Sequence, residues 1–333
     1  MKKTQNQTNA VQNFLTDEHL SPEVRDFLKG INNGGPGLET LTPLAARKGL
    51  VDLQAAFPVD YSGITESEKT IDTDGFNIKL NIVRPEGVSG ILPVFVFVHG
   101  GGWVLGDYPT HKRMVRDLVV RTGAVGVFIN YTPTPDAAYP RAIDEIYAAT
   151  KWVAENGSQI DVDGKRLAIV GNSVGGNMTA VTCIRAKERK GPEIKVAIMM
   201  WPILDADFTT ESYKQFGKDR FLTTSLMSWM YDMYIADPEK RKAIYASPLQ
   251  ASVEQLSGLP PTLIQVAEND ILRDEGEAYG RKLSEAGVKA TTVRYNGVIH
   301  DFGLLNGLAN IPQTKALFMQ AATHLKMYLK ANI

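Results

Sequence analysis

Apolar residues recur along this chain in two distinct periods. At 91–98, 124–131, 166–170, 194–201, 262–267 and 290–295 they form short runs rich in Val and Ile. Runs of this length read as strands buried on both faces of a parallel sheet. Two more segments, 68–72 and 76–84, alternate apolar and polar residues around Asp74-Gly75, which predicts a hairpin. Helical spacing appears between the strands, at 111–122, 140–156, 174–190, 276–286 and 312–330. The expected fold class is therefore α/β: a mostly parallel central sheet of about eight strands with helices on both faces. Such sheets take ligands beyond the carboxyl ends of their strands, so the residues after each strand deserve the closest reading.

Two segments fall outside the alternation. Residues 1–60 contain helical patterns at 17–29 and 43–57, separated by Asn32-Asn-Gly-Gly-Pro-Gly. Residues 205–247 contain Thr224 as a helix N-cap followed by Ser225-Leu-Met-Ser-Trp-Met-Tyr-Asp-Met-Tyr-Ile, a helix with a Met-rich aromatic face. This segment sits between two strands, where a cap over the sheet could be inserted. The organisation is then 1–60 outside the sheet, 61–204 core, 205–247 inserted, and 248–333 core.

Composition narrows the function classes. With 333 residues, 44% hydrophobic and 22% charged, the chain is an ordinary globular protein with a large core. Its net charge of -1 is spread without a basic stripe, which argues against a nucleic-acid partner. The single cysteine, Cys183, lies in an apolar run and excludes an intrachain disulfide. Met-Lys-Lys is followed by polar residues at 4–9, with no apolar stretch to serve as a signal, and no apolar run is long enough to span a bilayer. A cytoplasmic location without stable membrane insertion is the default expectation. No cluster of ligand-type residues implies a metal, and no cofactor motif is present.

Three segments carry candidate chemistry. The strand at 166–170 runs into Gly171-Asn-Ser-Val-Gly-Gly, a G-x-S-x-G pattern between a strand and a helix. A sharp turn there would lift the Ser173 hydroxyl above the sheet edge, at a helix N-terminus that favours negative charge. The pattern alone also fits a plain glycine-lined turn. His99-Gly-Gly-Gly-Trp103 follows another strand, and its glycines expose backbone N–H groups of the kind an oxyanion needs. Gly101 and Gly102, with the Val174 amide, are the candidate donors. A serine needs a base and the base an orienter. Of the five histidines, His300 alone stands on a loop after the last predicted strand, whereas His19, His111 and His324 read as surface or core and His99 belongs to the glycine loop. Asp270, after the strand at 262–267, is the candidate orienter. Its rivals are Asp274, which reads as a first-turn helix acid, and Asp301, which would have to fold back on its neighbour. The order Ser173, Asp270, His300 is that of α/β-hydrolases.

Together these motifs resemble the bacterial hormone-sensitive-lipase family of carboxylesterases, and the resemblance covers nearly the whole chain. His99-Gly-Gly-Gly-Trp is similar to the family's oxyanion loop, Gly171-Asn-Ser-Val-Gly-Gly to its elbow, and Asp270-Ile-Leu-Arg-Asp-Glu-Gly to its acid segment. Tyr245-Ala-Ser-Pro-Leu and Leu259-Pro-Pro-Thr are similar too. The resemblance implies Asp270 rather than Asp274 as the acid, and a helical cap built from 1–60 and 205–247. It also implies short- to medium-chain acyl esters as substrates, and a homodimer through the sheet edge or the last helix. Trp103, Asn172, Tyr131 and Phe221 are the candidate substrate contacts. Two departures stand out. Asn172 replaces the usual acidic residue or Thr before the nucleophile, and Tyr131-Thr-Pro-Thr-Pro-Asp replaces Tyr-Arg-Leu-Ala-Pro-Glu, which suggests a rebuilt loop near the site. Two other functions use the same scaffold: an acyltransferase with a small alcohol in place of water, and a small-molecule binder without catalysis.

Overall fold

The computed structural model describes residues 13–33 and 35–330. Among these residues, eight strands form one sheet: β1 (Ile64–Thr73), β2 (Phe76–Pro85), β3 (Leu92–Val98), β4 (Val125–Asn130), β5 (Val162–Asn172), β6 (Val196–Met200), β7 (Thr262–Asn269) and β8 (Ala290–Ile299). Their order is β1-β2-β4-β3-β5-β6-β7-β8. The first hairpin is antiparallel and turns at Asp74-Gly75, where both residues have positive φ. β2 pairs antiparallel with β4, and every pairing from β4 to β8 is parallel. The five parallel connections run through helices, as parallel strands require.

Among the described residues, ten α-helices surround the sheet: α1 (Pro22–Asn32), α2 (Pro43–Ala55), α3 (Tyr108–Thr122), α4 (Arg141–Asn156), α5 (Val174–Glu188), α6 (Glu211–Phe216), α7 (Thr224–Tyr234), α8 (Val253–Leu256), α9 (Arg273–Glu285) and α10 (Pro312–Leu329). The alternation along β3 shows how they divide. Val94, Val96 and Val98 join the core shared with α4, α5 and α9, while Phe95 and Phe97 join the core shared with α3, α10 and α1. Successive side chains of a strand face opposite ways, so a strand buried on both sides is apolar throughout.

Several boundaries differ from the pattern in the sequence. α3 begins at Tyr108, because Asp107 and Thr110 form a reciprocal capping box; His111 is therefore inside the helix and fully buried. The cap of α7 is Thr223, one residue before the expected Thr224, and its hydroxyl accepts the Leu226 N–H at 3.1 Å. α9 starts at Arg273, with Asp274 in its first turn. β5 starts at Val162 because a register shift opposite Pro93 and Val94 divides its pairing in two, which hides its first half from a period-two reading.

The segments outside the alternation pack around the carboxyl edge of the sheet. α6 is tied to the start of α9 by the Ser212 N–H, which donates to Asp274 Oδ2 at 2.8 Å. A fully buried ion pair, Arg220 Nη2 to Asp17 Oδ2 at 2.7 Å, joins the loop before α7 to the N-terminal segment. That segment bonds in turn to β8 itself, through the Ser21 N–H and the Gly297 carbonyl at 2.9 Å. No helix among the described residues is long and apolar enough to cross a membrane.

Candidate active site

The turn from β5 into α5 holds Ser173 at φ 54° and ψ -122°, a conformation rare for a residue with a side chain. The residues two positions to either side, Gly171 and Gly175, must be glycine for a local reason. A Cβ on Gly175 would lie 2.0 Å from the Val98 carbonyl oxygen, and one on Gly171 would lie 2.2 Å from the carbonyl oxygen of Gly175. β3 and α5 therefore approach closely enough to push the serine up between them, at the first turn of a helix whose leading N–H groups have no partner within it.

Two other strand ends converge on this point. His300 follows β8 directly, and its Nε2 lies 3.0 Å from Ser173 Oγ. Its Nδ1 lies 2.7 Å from Asp270 Oδ2, and Asp270 follows β7. The other Asp270 oxygen accepts the Leu272 N–H at 3.0 Å, which fixes the carboxylate. Asp274 is spent elsewhere, on the Ser212 N–H and on Arg273 Nε at 2.9 Å. Ser173, Asp270 and His300 are each at most 4% exposed.

The glycine loop after β3 runs beside the elbow. Gly101, Gly102 and Trp103 have φ of 107°, 63° and 61°, and the Gly101 carbonyl closes a turn by accepting the Leu105 N–H at 2.7 Å. The Gly100 N–H is taken by Asn172 Oδ1 at 3.0 Å. Among the described residues, no group accepts from the N–H of Gly101 or Gly102. The Val174 N–H opens α5. The arrangement can therefore deprotonate a hydroxyl through a fixed imidazole and present backbone donors beside it, which is the equipment of acyl transfer.

A family model for the α/β-hydrolase fold matches residues 95–304. The chain belongs to the α/β-hydrolase family. It is similar to the putative alpha/beta hydrolase R526 of Acanthamoeba polyphaga mimivirus, 36% identical over 94% of this chain and 90% of that protein. It is also similar to the carboxylesterase NlhH of Mycobacterium tuberculosis, 32% identical over 79% of this chain and 83% of that one. Among solved structures, a thermostable esterase from Pseudomonas putida ECU1011 superposes with a TM-score of 0.93 at 55% identity, covering 94% of this chain and 98% of that chain. The expected fold and the carboxylesterase class both stand, on the bacterial branch the motifs resemble.

In this α/β-hydrolase three of the four candidate substrate contacts, Trp103, Tyr131 and Asn172, already have partners within the protein. Trp103 is fully buried and stacks on Tyr234 of α7, with ring centroids 4.1 Å apart. Tyr131 stacks on His99 at 4.1 Å and donates its hydroxyl to the His99 carbonyl at 3.2 Å. Both amide atoms of Asn172 are engaged within the protein. These three hold up the site from behind. Phe221 is half-buried at φ 72° and packs with the α3 and α10 core. The rebuilt loop is likewise held by protein. Arg47 of α2 bonds to the Val104 carbonyl at 2.7 Å and the Thr134 carbonyl at 3.1 Å, and pairs with Asp136. A half-open cavity of about 260 Å³ lies there, lined by Arg47, His99, Asp107, Tyr131 and Pro133 among others but by none of Ser173, Asp270 or His300.

Met230 lies on the Met-rich face of α7 that the sequence assigns to a cap. A Cβ on Gly102 would lie 1.9 Å from its sulfur, so the helix rests directly on the glycine loop. Its place on a Met-rich helix face was legible; its position over one glycine was not. Burial pulls the His300 imidazole down, but the Asp270 and Asp301 carboxylates outweigh it and hold it above the usual histidine range. Cys183, also buried, has its thiol pushed up to about 12 and carries no chemistry at neutral pH. Among the described residues, no group of three or more His, Cys, Asp or Glu could hold a metal ion.

Proposed function

We propose that this protein hydrolyses short- to medium-chain acyl esters with Ser173 as nucleophile, His300 as general base and acid, and Asp270 as the group that orients the imidazole. The reading rests on one observation, the continuous hydrogen-bond chain from Ser173 Oγ through His300 to Asp270 at 3.0 and 2.7 Å. His300 Nε2 takes the hydroxyl proton as Oγ attacks the ester carbonyl. The Gly101, Gly102 and Val174 N–H groups hold the oxygen as it becomes negative. His300 then gives the proton to the leaving alcohol, and water cleaves the acyl-enzyme by the same steps in reverse. Asp270 keeps the Nδ1–H tautomer and stabilises the imidazolium.

In this reading, residues 1–60 and 205–247 form the cap over the acyl and alcohol pockets. The contact between Met230 and Gly102 and the stack of Trp103 on Tyr234 support it, because they join α7 to the loop that binds the oxyanion. The exposed side chains of Met319 and Met327 on α10 make that helix the candidate face for a homodimer. The test is hydrolysis of nitrophenyl esters from acetate to long acyl chains. Turnover that peaks at short lengths is expected. A rate that keeps rising to long chains would reject the substrate range, and no turnover at any length would reject the esterase.

A further inference from the structure

The residues beside the nucleophile and the base form a network that the ester chemistry above leaves unused. Asn172 directly precedes Ser173 and is fully buried. Its Oδ1 accepts the Gly100 N–H at 3.0 Å, and its Nδ2 donates to Asp301 Oδ1 at 3.3 Å. The same carboxylate oxygen accepts the indole N–H of Trp201 at 2.7 Å. Asp301 directly follows His300, and its second oxygen, Oδ2, stands 3.8 Å from His300 Nε2. The imidazole thus lies between two carboxylates, Asp270 at Nδ1 and Asp301 beside the nitrogen that reaches Ser173.

Backbone strain marks both ends of the Trp201–Asp301 bond. Asp301 has φ 60° and Trp201 has φ 38°, in the left-handed region that favours glycine. A bulky aromatic there is a clear outlier, and such outliers gather at functional sites. Glycine would satisfy the turn after His300 without a side chain, so the carboxylate is there for what it faces. At 3.8 Å, Oδ2 is too far to take the hydrogen bond that Nε2 makes with Ser173. It is near enough for its charge to act on Nε2 when that nitrogen is protonated.

We propose that Asp301 is a positioning residue of the ester reaction: its carboxylate, anchored by Trp201 and Asn172, favours the imidazolium that His300 becomes at each transition state, and Asn172 ties this anchor to the oxyanion loop. The proposal rests on the serine-esterase reading above. It also explains the amide at position 172. An aspartate there could accept from Gly100 but could not donate to Asp301, and would set two carboxylates against each other.

The surrounding charges agree with this role. Burial pushes the Asp301 carboxyl up, opposed by His300, by the Trp201 N–H and by the Asn172 amide, with Asp270 adding to the rise. Asp270 faces the cluster from the end of β7. From α3, His111 Nε2 lies 3.4 Å from Asn172 Nδ2, and the His99 ring lies 5.4 Å from that of His111. Burial keeps both neutral, with His99 pulled down to about 4 and His111 well below the usual range. Asp107, the N-cap of α3, acts on His99. Arg113 of α3 is turned to Asp117 and to the Leu304 carbonyl.

The test is the pH profile of kcat/KM for nitrophenyl acetate with wild type, Asp301→Asn and Ser173→Ala, with thermal melts to check folding. Without the Asp301 charge, His300 loses its proton more readily, so the acid limb of Asp301→Asn is expected to move down by about one pH unit. Asn172→Asp is expected to slow turnover by roughly tenfold or more, and the double variant Asn172→Asp/Asp301→Asn to recover most of that loss by restoring one donor between two acceptors. An unmoved acid limb in folded Asp301→Asn, with Ser173→Ala inert, overturns the role of Asp301 alone. Full activity in Ser173→Ala overturns the serine reading beneath it. Should Asp301→Asn fail to fold, Trp201→Phe removes one anchor and is expected to shift the limb the same way by less; no shift there is equally contradictory.

Discussion

The catalytic edge of the sheet and the helices above it are held in different ways. At the edge, backbone geometry leaves little choice. Ser173 is locked at φ 54° by close approaches that only glycine allows, and Asp270 and His300 each sit directly beyond a parallel strand. Above it, side-chain packing does the holding: Trp103 on Tyr234, Met230 on Gly102, and the buried pair of Arg220 and Asp17. The first region places reacting atoms; the second shapes the space around them. They meet at Gly102 and Trp103, where one helix rests on the glycine loop proposed to supply the oxyanion donors.

That contrast can be broken in order of effect. Ser173→Ala should lower kcat for nitrophenyl acetate by roughly 10⁴- to 10⁶-fold with an unchanged melting temperature, since the hydroxyl carries no packing role. Gly102→Ala strains a residue at φ 63° and drives a methyl into Met230, which displaces a donor; a loss of roughly 100- to 1000-fold in kcat is expected. Pairing it with Met230→Ala should return part of that loss. Complete recovery would mean that the helix, rather than the loop, sets the donor position. The acid limb of kcat/KM should lie above the usual histidine value of about 6.5, because a raised His300 must lose its proton before it can act as a base. A limb well below that value would show that Asp270 and Asp301 do not outweigh burial. The smallest effect belongs to Met230→Ala alone. It should move the preferred acyl length by about a methylene or two, changing ratios between neighbouring esters by roughly tenfold.

The same contrast decides what was legible in the sequence. The central strands were, because burial on both faces leaves runs such as Leu92–Val98 with almost no polar residue, whereas 290–295, expected to be buried on both faces, is an edge strand with most of its residues exposed or half-buried. The meeting of Ser173, Asp270 and His300 was, because each stands a few residues beyond an expected strand and the glycines around the serine answer to a steric need. Asp270 is preferred over Asp274 in the sequence because it follows a strand while Asp274 reads as a first-turn helix acid, and the resemblance agrees; the structure adds that Asp274 is committed to the Ser212 and Arg273 donors. The supports were less visible. Trp103, Asn172 and Tyr131 stand in the sequence as candidate substrate contacts, yet their partners lie far along the chain on α7, at Asp301 and at His99. Trp201 went unnoticed because a tryptophan at a strand end reads as core, and only its bond to Asp301 gives it a second meaning. Local pattern reveals what backbone sterics impose, whereas contacts between distant segments leave no periodic trace.

The central claim is that Ser173 is the activated nucleophile. The most direct measurement is covalent labelling with a fluorophosphonate, followed by peptide mapping, in wild type and in His300→Ala. The account predicts a single adduct on Ser173 in the wild type and labelling slowed by orders of magnitude without the imidazole. An adduct on another residue, or equal labelling in both proteins, would contradict it.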